Sequence, residues 1–188
     1  MPLYCLIWSV PTLSIDRICQ DPAVLDQASP AGQFHQMAKK PTHPMDIAFA
    51  EAHAAQARGE VPIGTVVVNG DTGAVLAAAG NQVNELNDPS AHAEILALRQ
   101  AGVRFGSPRL TNCDLYVTLE PCPMCAQAIS FARIRRLYFA AFDVKGGGVD
   151  HGPRIYEHTT CHHKPEVIGG VREREAAELL QGFFKLRR

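Results

Sequence analysis

Cys122 and Cys125 stand three residues apart in "VTLEPCPMCAQAIS", Val117 to Ser130, where a β-branched strand pattern gives way to a helical one. A Cys-x-x-Cys pair at a strand-to-helix junction allows few readings: a redox dithiol, half of a structural zinc site, or half of a catalytic zinc site. A helix N-terminus carries partial positive charge and unpaired N–H groups, so a thiol there ionises more easily, and thiolate is the form that binds metal. At spacing i, i+3 both side chains leave one face of the first turn. Pro123 between them fits only because first-turn N–H groups have no helical partner. The chain has 188 residues, six cysteines (Cys5, Cys19, Cys113, Cys122, Cys125 and Cys161) and eight histidines. The irregular cysteine spacing argues against a disulfide scaffold and for a reducing compartment, the cytoplasm.

Two thiolates need further ligands to hold zinc. His92 in "NDPSAHAEILALRQAG" is the best candidate, because it also opens a helix. His-x-Glu (His92, Glu94) followed by Pro-Cys-x-x-Cys (Pro121 to Cys125) is the zinc deaminase signature. One geometric condition attaches to it. Residues two apart on a regular helix point about 200° apart. His92 and Glu94 share a site only if that site lies off the helix end. Zinc with two thiolates and a neutral imidazole is formally neutral, keeps an open position and acidifies bound water, with Glu94 as general acid and base. A structural site would instead be closed by a fourth ligand, for which Cys161, His162 or His163 of "CHH" are candidates. A redox dithiol leaves His92 and Glu94 without a role.

The surrounding pattern predicts an α/β sandwich with a largely buried sheet. Helix signals cover "MDIAFAEAHAAQARG". Strands follow in "PIGTVVVN" and "AVLAAAGN", joined by the turn "GDTG". A second helix takes Asp88 or Ser90 as its N-cap and stops at Gly102. A third strand, "CDLYVTLE", a helix from Pro121 and a fourth strand, "RRLYFAAFD", come next. "GGGVDHG" reads as a flexible loop, "PEVIGG" as a short fifth strand, and "REREAAELLQGFFKLRR" as an amphipathic closing helix. Residues 1–44 hold six prolines and no sustained periodicity. They read as a disordered or locally ordered extension, with Met37 as an alternative start, ahead of a domain spanning 45–188. No apolar run approaches the roughly 18 residues of a membrane helix. Net charge is −1, so any nucleic-acid contact must be local. Arg133, Arg135 and Arg136 read as a solvated face, with an RNA contact as the alternative.

The stretches "EVPIGTVVV", "NDPSAHAEILALRQA", "LYVTLEPCPMCAQAISFARI" and "FFKLRR" together resemble the bacterial tRNA-specific adenosine deaminases from about Met45 onward. The resemblance implies a cytidine deaminase-like fold: a three-layer α/β/α sandwich around a five-stranded mixed sheet. It implies one Zn²⁺ per subunit on His92, Cys122 and Cys125, with Glu94 as proton shuttle. It implies zinc-activated attack on C6 of the wobble adenosine of an arginine tRNA, giving inosine. By the same resemblance Asn81 contacts the flipped nucleoside, and Pro62 and Ile63 line the base pocket. Asp143 and Lys145 meet the anticodon backbone, and Phe184, Arg187 and Arg188 cover neighbouring nucleotides. Such enzymes are homodimers that bind a tRNA anticodon stem-loop. The first forty or so residues and the stretch "GGGVDHGPRIYEHTTCHHKPE" carry no assigned role. The alternatives are a small-molecule guanine or cytosine deaminase, and a non-catalytic zinc-stabilised RNA-binding module.

Overall fold

The computed structural model describes residues 43–187; the expectations for residues 1–42 and for Arg188 lie outside them. Helix α1 (Pro44–Ala57) starts on a reciprocal cap. His43 Nδ1 accepts the N–H of Met45 at 3.1 Å, and Asp46 accepts the N–H of His43 at 3.2 Å. Its buried residues Met45, Ala48, Phe49, Ala52 and Ala55 recur at helical spacing on one face. Strands β1 (Gly64–Asn69) and β2 (Val75–Gly80) form the expected antiparallel hairpin. A short helix α2 (Val83–Leu86) follows, then α3 (Ala93–Phe105), β3 (Cys113–Leu119), α4 (Pro123–Phe131), β4 (Arg136–Ala141), a 3₁₀ turn (Ile155–Glu157), β5 (Glu166–Ile168) and α5 (Glu173–Lys185).

The sheet order is β2-β1-β3-β4-β5, with β1 antiparallel to β2 and β3, and β3, β4 and β5 parallel. This is the expected five-stranded mixed sheet. Alternation along its strands divides the core. Val67, Leu115, Val117, Leu137 and Phe139 pack with Ala97 and Ala101 of α3 and Ala126 and Ile129 of α4. Val66, Val68, Tyr116, Tyr138 and Ala140 pack with Met45, Ala48 and Phe49 of α1 and Ala176 of α5. The three layers follow from that alternation.

Two helix starts differ from expectation. Neither Asp88 nor Ser90 caps α3. Asp88 Oδ1 accepts both the N–H and the hydroxyl of Ser90 at 2.7 Å, closing a local turn, and the N-cap is His92. α4 begins at Pro123, not Pro121, with Cys122 as N-cap.

Candidate active site

His92 and Cys122 occupy equivalent positions on two neighbouring helices. Both are N-cap residues in extended conformation, and neither side chain caps its own helix. Each backbone carbonyl accepts the first helical N–H, from Leu96 at 3.0 Å and Ala126 at 2.8 Å. The side chains are therefore left to face each other across the gap between α3 and α4. Cys125, in the first turn of α4, completes the group. His92 Nδ1 lies 3.6 Å from Cys122 Sγ and 3.5 Å from Cys125 Sγ, and the three ligating atoms fall within 4.8 Å of one another. One nitrogen and two sulfurs at this spacing suit a tetrahedral metal with one position left over. Because His92 precedes the helix while Glu94 lies inside its first turn, the site sits off the helix end, as the His-x-Glu spacing requires.

No fourth protein ligand joins the group among the described residues. The expectation that "CHH" might close it fails on geometry. Cys161 Sγ sits 3.4 Å from Ser130 Oγ and donates to the carbonyl of His163, while the His163 ring meets the carbonyl of Ile134 at 2.6 Å. His162 gives its backbone carbonyl to Arg133. These residues tie the segment before β5 to the C-terminal end of α4.

The four groups of the site hold their protons unevenly. The Cys125 thiol and the His92 ring stabilise the Cys122 thiolate and bring its pKa down to about 4. Cys125 is pushed up by its hydrogen bond to Cys122 and by burial. The hydrogen bond to Cys122 raises His92. Glu94, 4% exposed, is pushed up to about 7, chiefly by burial. A metal dication would replace the protons of Cys125 and His92 and satisfy both sulfurs.

Asn81, just past β2, is also buried. Its Oδ1 accepts the N–H of Ala93 at 3.0 Å, between His92 and Glu94, so it caps α3 in place of the unavailable His92 side chain. Its backbone N–H bonds the carbonyl of Ile63 at 3.0 Å. Ile63 packs against the core, and Pro62 beside it in sequence is buried.

Residues 38–141 match the family described as the cytidine and deoxycytidylate deaminase zinc-binding region. A tRNA-specific adenosine deaminase of Agrobacterium fabrum is 54% identical over 147 residues, 78% of this chain and 95% of the relative. This chain belongs to the tRNA-specific adenosine deaminase family. A structure solved in a study of A-to-I editing by tRNA:A34 deaminases superposes with a TM-score of 0.71 at 55% identity, covering 73% of this chain and 99% of that one. A guanine deaminase from Nitrosomonas europaea shares the fold more distantly, with a TM-score of 0.66 and 25% identity over 74% of this chain and 82% of that one. The chain therefore carries a zinc-binding deaminase domain, and its His and two Cys are positioned to bind the metal.

In this deaminase the outer candidates gather around a second feature. A cavity of about 860 Å³ opens between the end of β4, the β1 approach and α5, lined by Ile63, Asp143, Lys145, Phe184, Lys185 and Arg187 among others. Phe183 is the core residue of the tail; Phe184 is 50% exposed and faces the cavity. Arg187 is partly committed, its guanidinium lying over Phe183 and donating to the carbonyl of Gly59 at 2.6 Å. Asp143 spends one carboxylate oxygen on the N–H groups of Lys145 and Gly146. The arginine cluster plays a structural part: Arg135 forms a two-pronged pair with Asp114 at 2.8 Å, Arg136 pairs with Glu166 at 2.7 Å, and Arg133 bonds His162.

Three buried carboxylates were not singled out by sequence: Glu60, Asp114 and Glu120. Glu60 accepts the N–H groups of Asn84 and Glu85 and so anchors α2. Glu120 gathers the loop after β4, and "GGGVDHG" is accordingly a pinned segment, not a flexible one. Its only sequence signal is a charged residue at the end of an otherwise buried strand.

Proposed function

We propose that this chain converts adenosine to inosine at the wobble position of an arginine tRNA, releasing ammonia. The observation that carries the reading is the open three-ligand site with buried Glu94 in the first turn beyond it. His92, Cys122 and Cys125 would hold one zinc per subunit. Zinc there supplies a Lewis acid that acidifies a water. Glu94 takes a proton from that water, passes it to N1 of the purine, and returns a proton to the amine that leaves C6. Burial raises the Glu94 carboxyl and the charge of a bound dication would draw it back down, which suits a group that must both accept and donate. The amide NH₂ of Asn81 is the part of that side chain left to hold the nucleoside, since Oδ1 is taken by Ala93. Pro62 and Ile63 supply apolar walls that exclude water. A base in an anticodon loop is already partly unstacked, so extruding it is inexpensive. Lys145, Phe184 and Arg187 offer charge and an exposed ring to the flanking nucleotides; Arg188 is assigned the same role from the resemblance alone.

The protein acts in the cytoplasm, where its substrate is, and no helix among the described residues is long and apolar enough to cross a membrane. It works as a homodimer. Supporting this is an apolar cavity of about 750 Å³ between α3 and α4, flanked by Val103 and Phe131, which are 86% and 70% exposed. The test is to incubate zinc-loaded protein with an arginine tRNA transcript carrying wobble adenosine, sequence for inosine, and measure ammonia from free guanine, cytosine and adenosine in parallel. Inosine at that one position supports the reading. Ammonia from a free base with untouched tRNA replaces it with the small-molecule deaminase.

A further inference from the structure

Glu120 lies just past β3, two residues before Cys122, and its side chain is fully buried. A carboxylate in such a place needs strong hydrogen-bond donors, and all of its donors come from one loop. Oε1 accepts the backbone N–H groups of Val149 at 3.2 Å and of Asp150 and His151 at 2.9 Å. Oε2 accepts the backbone N–H of Asp143 at 3.0 Å and meets His151 Nδ1 at 2.8 Å. Both ends of the loop 143–151 are thereby fastened to one anion.

Between its ends the loop lies against the turn that carries Cys122. Gly148 donates its N–H to the carbonyl of Pro121 at 2.8 Å. A Cβ on Gly148 would fall 2.6 Å from the nitrogen of Pro123 and 2.9 Å from the carbonyl carbon of Cys122, so only glycine permits this approach. At its near end the loop forms the Asp143–Lys145 turn, on the rim of the cavity that also holds Phe184. One buried carboxylate therefore links the metal-site turn to the edge of the cavity.

We propose that Glu120 is a positioning residue for RNA: by gripping the Asp143 N–H it keeps the Asp143–Lys145 turn preformed at a fixed reach from the metal site. This rests on the wobble deaminase reading. A turn ordered in advance loses less conformational entropy when the anticodon loop docks. Glu120→Gln tests it, because glutamine has one acceptor oxygen where glutamate has two. If that oxygen stays on residues 149–151, the amide NH₂ faces the N–H of Asp143, donor against donor, and the Asp143 end is released.

With zinc-loaded protein and an anticodon stem-loop substrate, KM should rise about five- to tenfold, the loss expected for one such hydrogen bond. The fall in kcat should be the smaller effect. Hydrogen exchange should quicken at the amides of Lys145 and Gly146 but not along α4. Gly147→Ala provides a second route, since its Cβ would fall 2.5 Å from the carbonyl oxygen of Asp143 as well as from Glu120 Oε1 and so displace the same turn. A loss of kcat with KM unchanged, or loss of zinc in both variants, would assign Glu120 to the metal turn or to folding and overturn the proposal. Unchanged exchange at Lys145 and Gly146 would overturn it as well. Absence of inosine with wild-type protein would defeat the deaminase reading separately, and the exchange measurement still decides whether Glu120 holds the turn.

Discussion

Replacing Glu94 with glutamine should stabilise the metal-free protein while removing the group the reaction needs. The carboxyl is 4% exposed, and burial, helped by the Cys122 thiolate, lifts its pKa from an ordinary 4.5 to about 7 against the opposing effect of its own backbone N–H and of His92. The gap corresponds to at most about 3 kcal/mol disfavouring the ionised form in the folded state. A carboxyl whose folded pKa exceeds its unfolded one carries no penalty below the unfolded value, where both states are protonated. The penalty grows as pH rises from there and is complete above the folded value. Glutamine keeps the shape without the charge. The stability difference between Glu94→Gln and wild type should therefore be near zero at about pH 4.5 and favour the variant by about 2–3 kcal/mol at about pH 8. For a domain of this size that is a melting shift of roughly 4–12 °C. Thermal melting of reduced, metal-free protein across this range reads it directly. With zinc bound the gain should shrink, because the dication stabilises the carboxylate. A shift independent of pH, or a lower melting temperature at the alkaline end, would refute burial as the cause.

Zinc affinity should weaken steeply on acidification, because binding must displace protons from Cys125 and His92, both raised, while Cys122 is already ionised. Competition with a chelator at several pH values measures this, and a flat profile would contradict the proton distribution. Arg135→Ala should lower stability by about 1–3 kcal/mol by stranding the buried Asp114 carboxylate. The same variant should leave KM for RNA unchanged; a raised KM would restore the arginine cluster to the RNA surface. Lys145→Ala should weaken stem-loop binding and flatten its salt dependence by about 0.7 in the log–log slope, the mark of one lost phosphate contact. An unchanged slope would remove Lys145 from the interface.

The metal group was legible because its chemistry is local. Cys122 and Cys125 share one turn, and the His-x-Glu motif supplies the third ligand and the carboxyl together. The open question in that motif, whether His92 and Glu94 can face one site, was answered by a cap: His92 stands outside the helix, and Asn81 takes over the capping. The helix start was misread for the same reason, since Asp88 has the chemistry of an N-cap but uses it on Ser90. What sequence could not show depends on distant partners. α2 is only a single turn and depends on Glu60, more than twenty residues upstream. The glycine-rich loop looks mobile until the Glu120 carboxylate is placed beneath it. The arginines of "ARIRR" look free until β3 and β5 bring Asp114 and Glu166 against them.

The central claim is that His92, Cys122 and Cys125 hold the metal while Glu94 moves the protons. Glu94→Ala, assayed for both zinc content and inosine at the wobble position, tests it most directly. The account predicts a full complement of zinc with inosine formation reduced at least a hundredfold, the scale of a lost general acid and base. Zinc retained together with near wild-type inosine formation would contradict it.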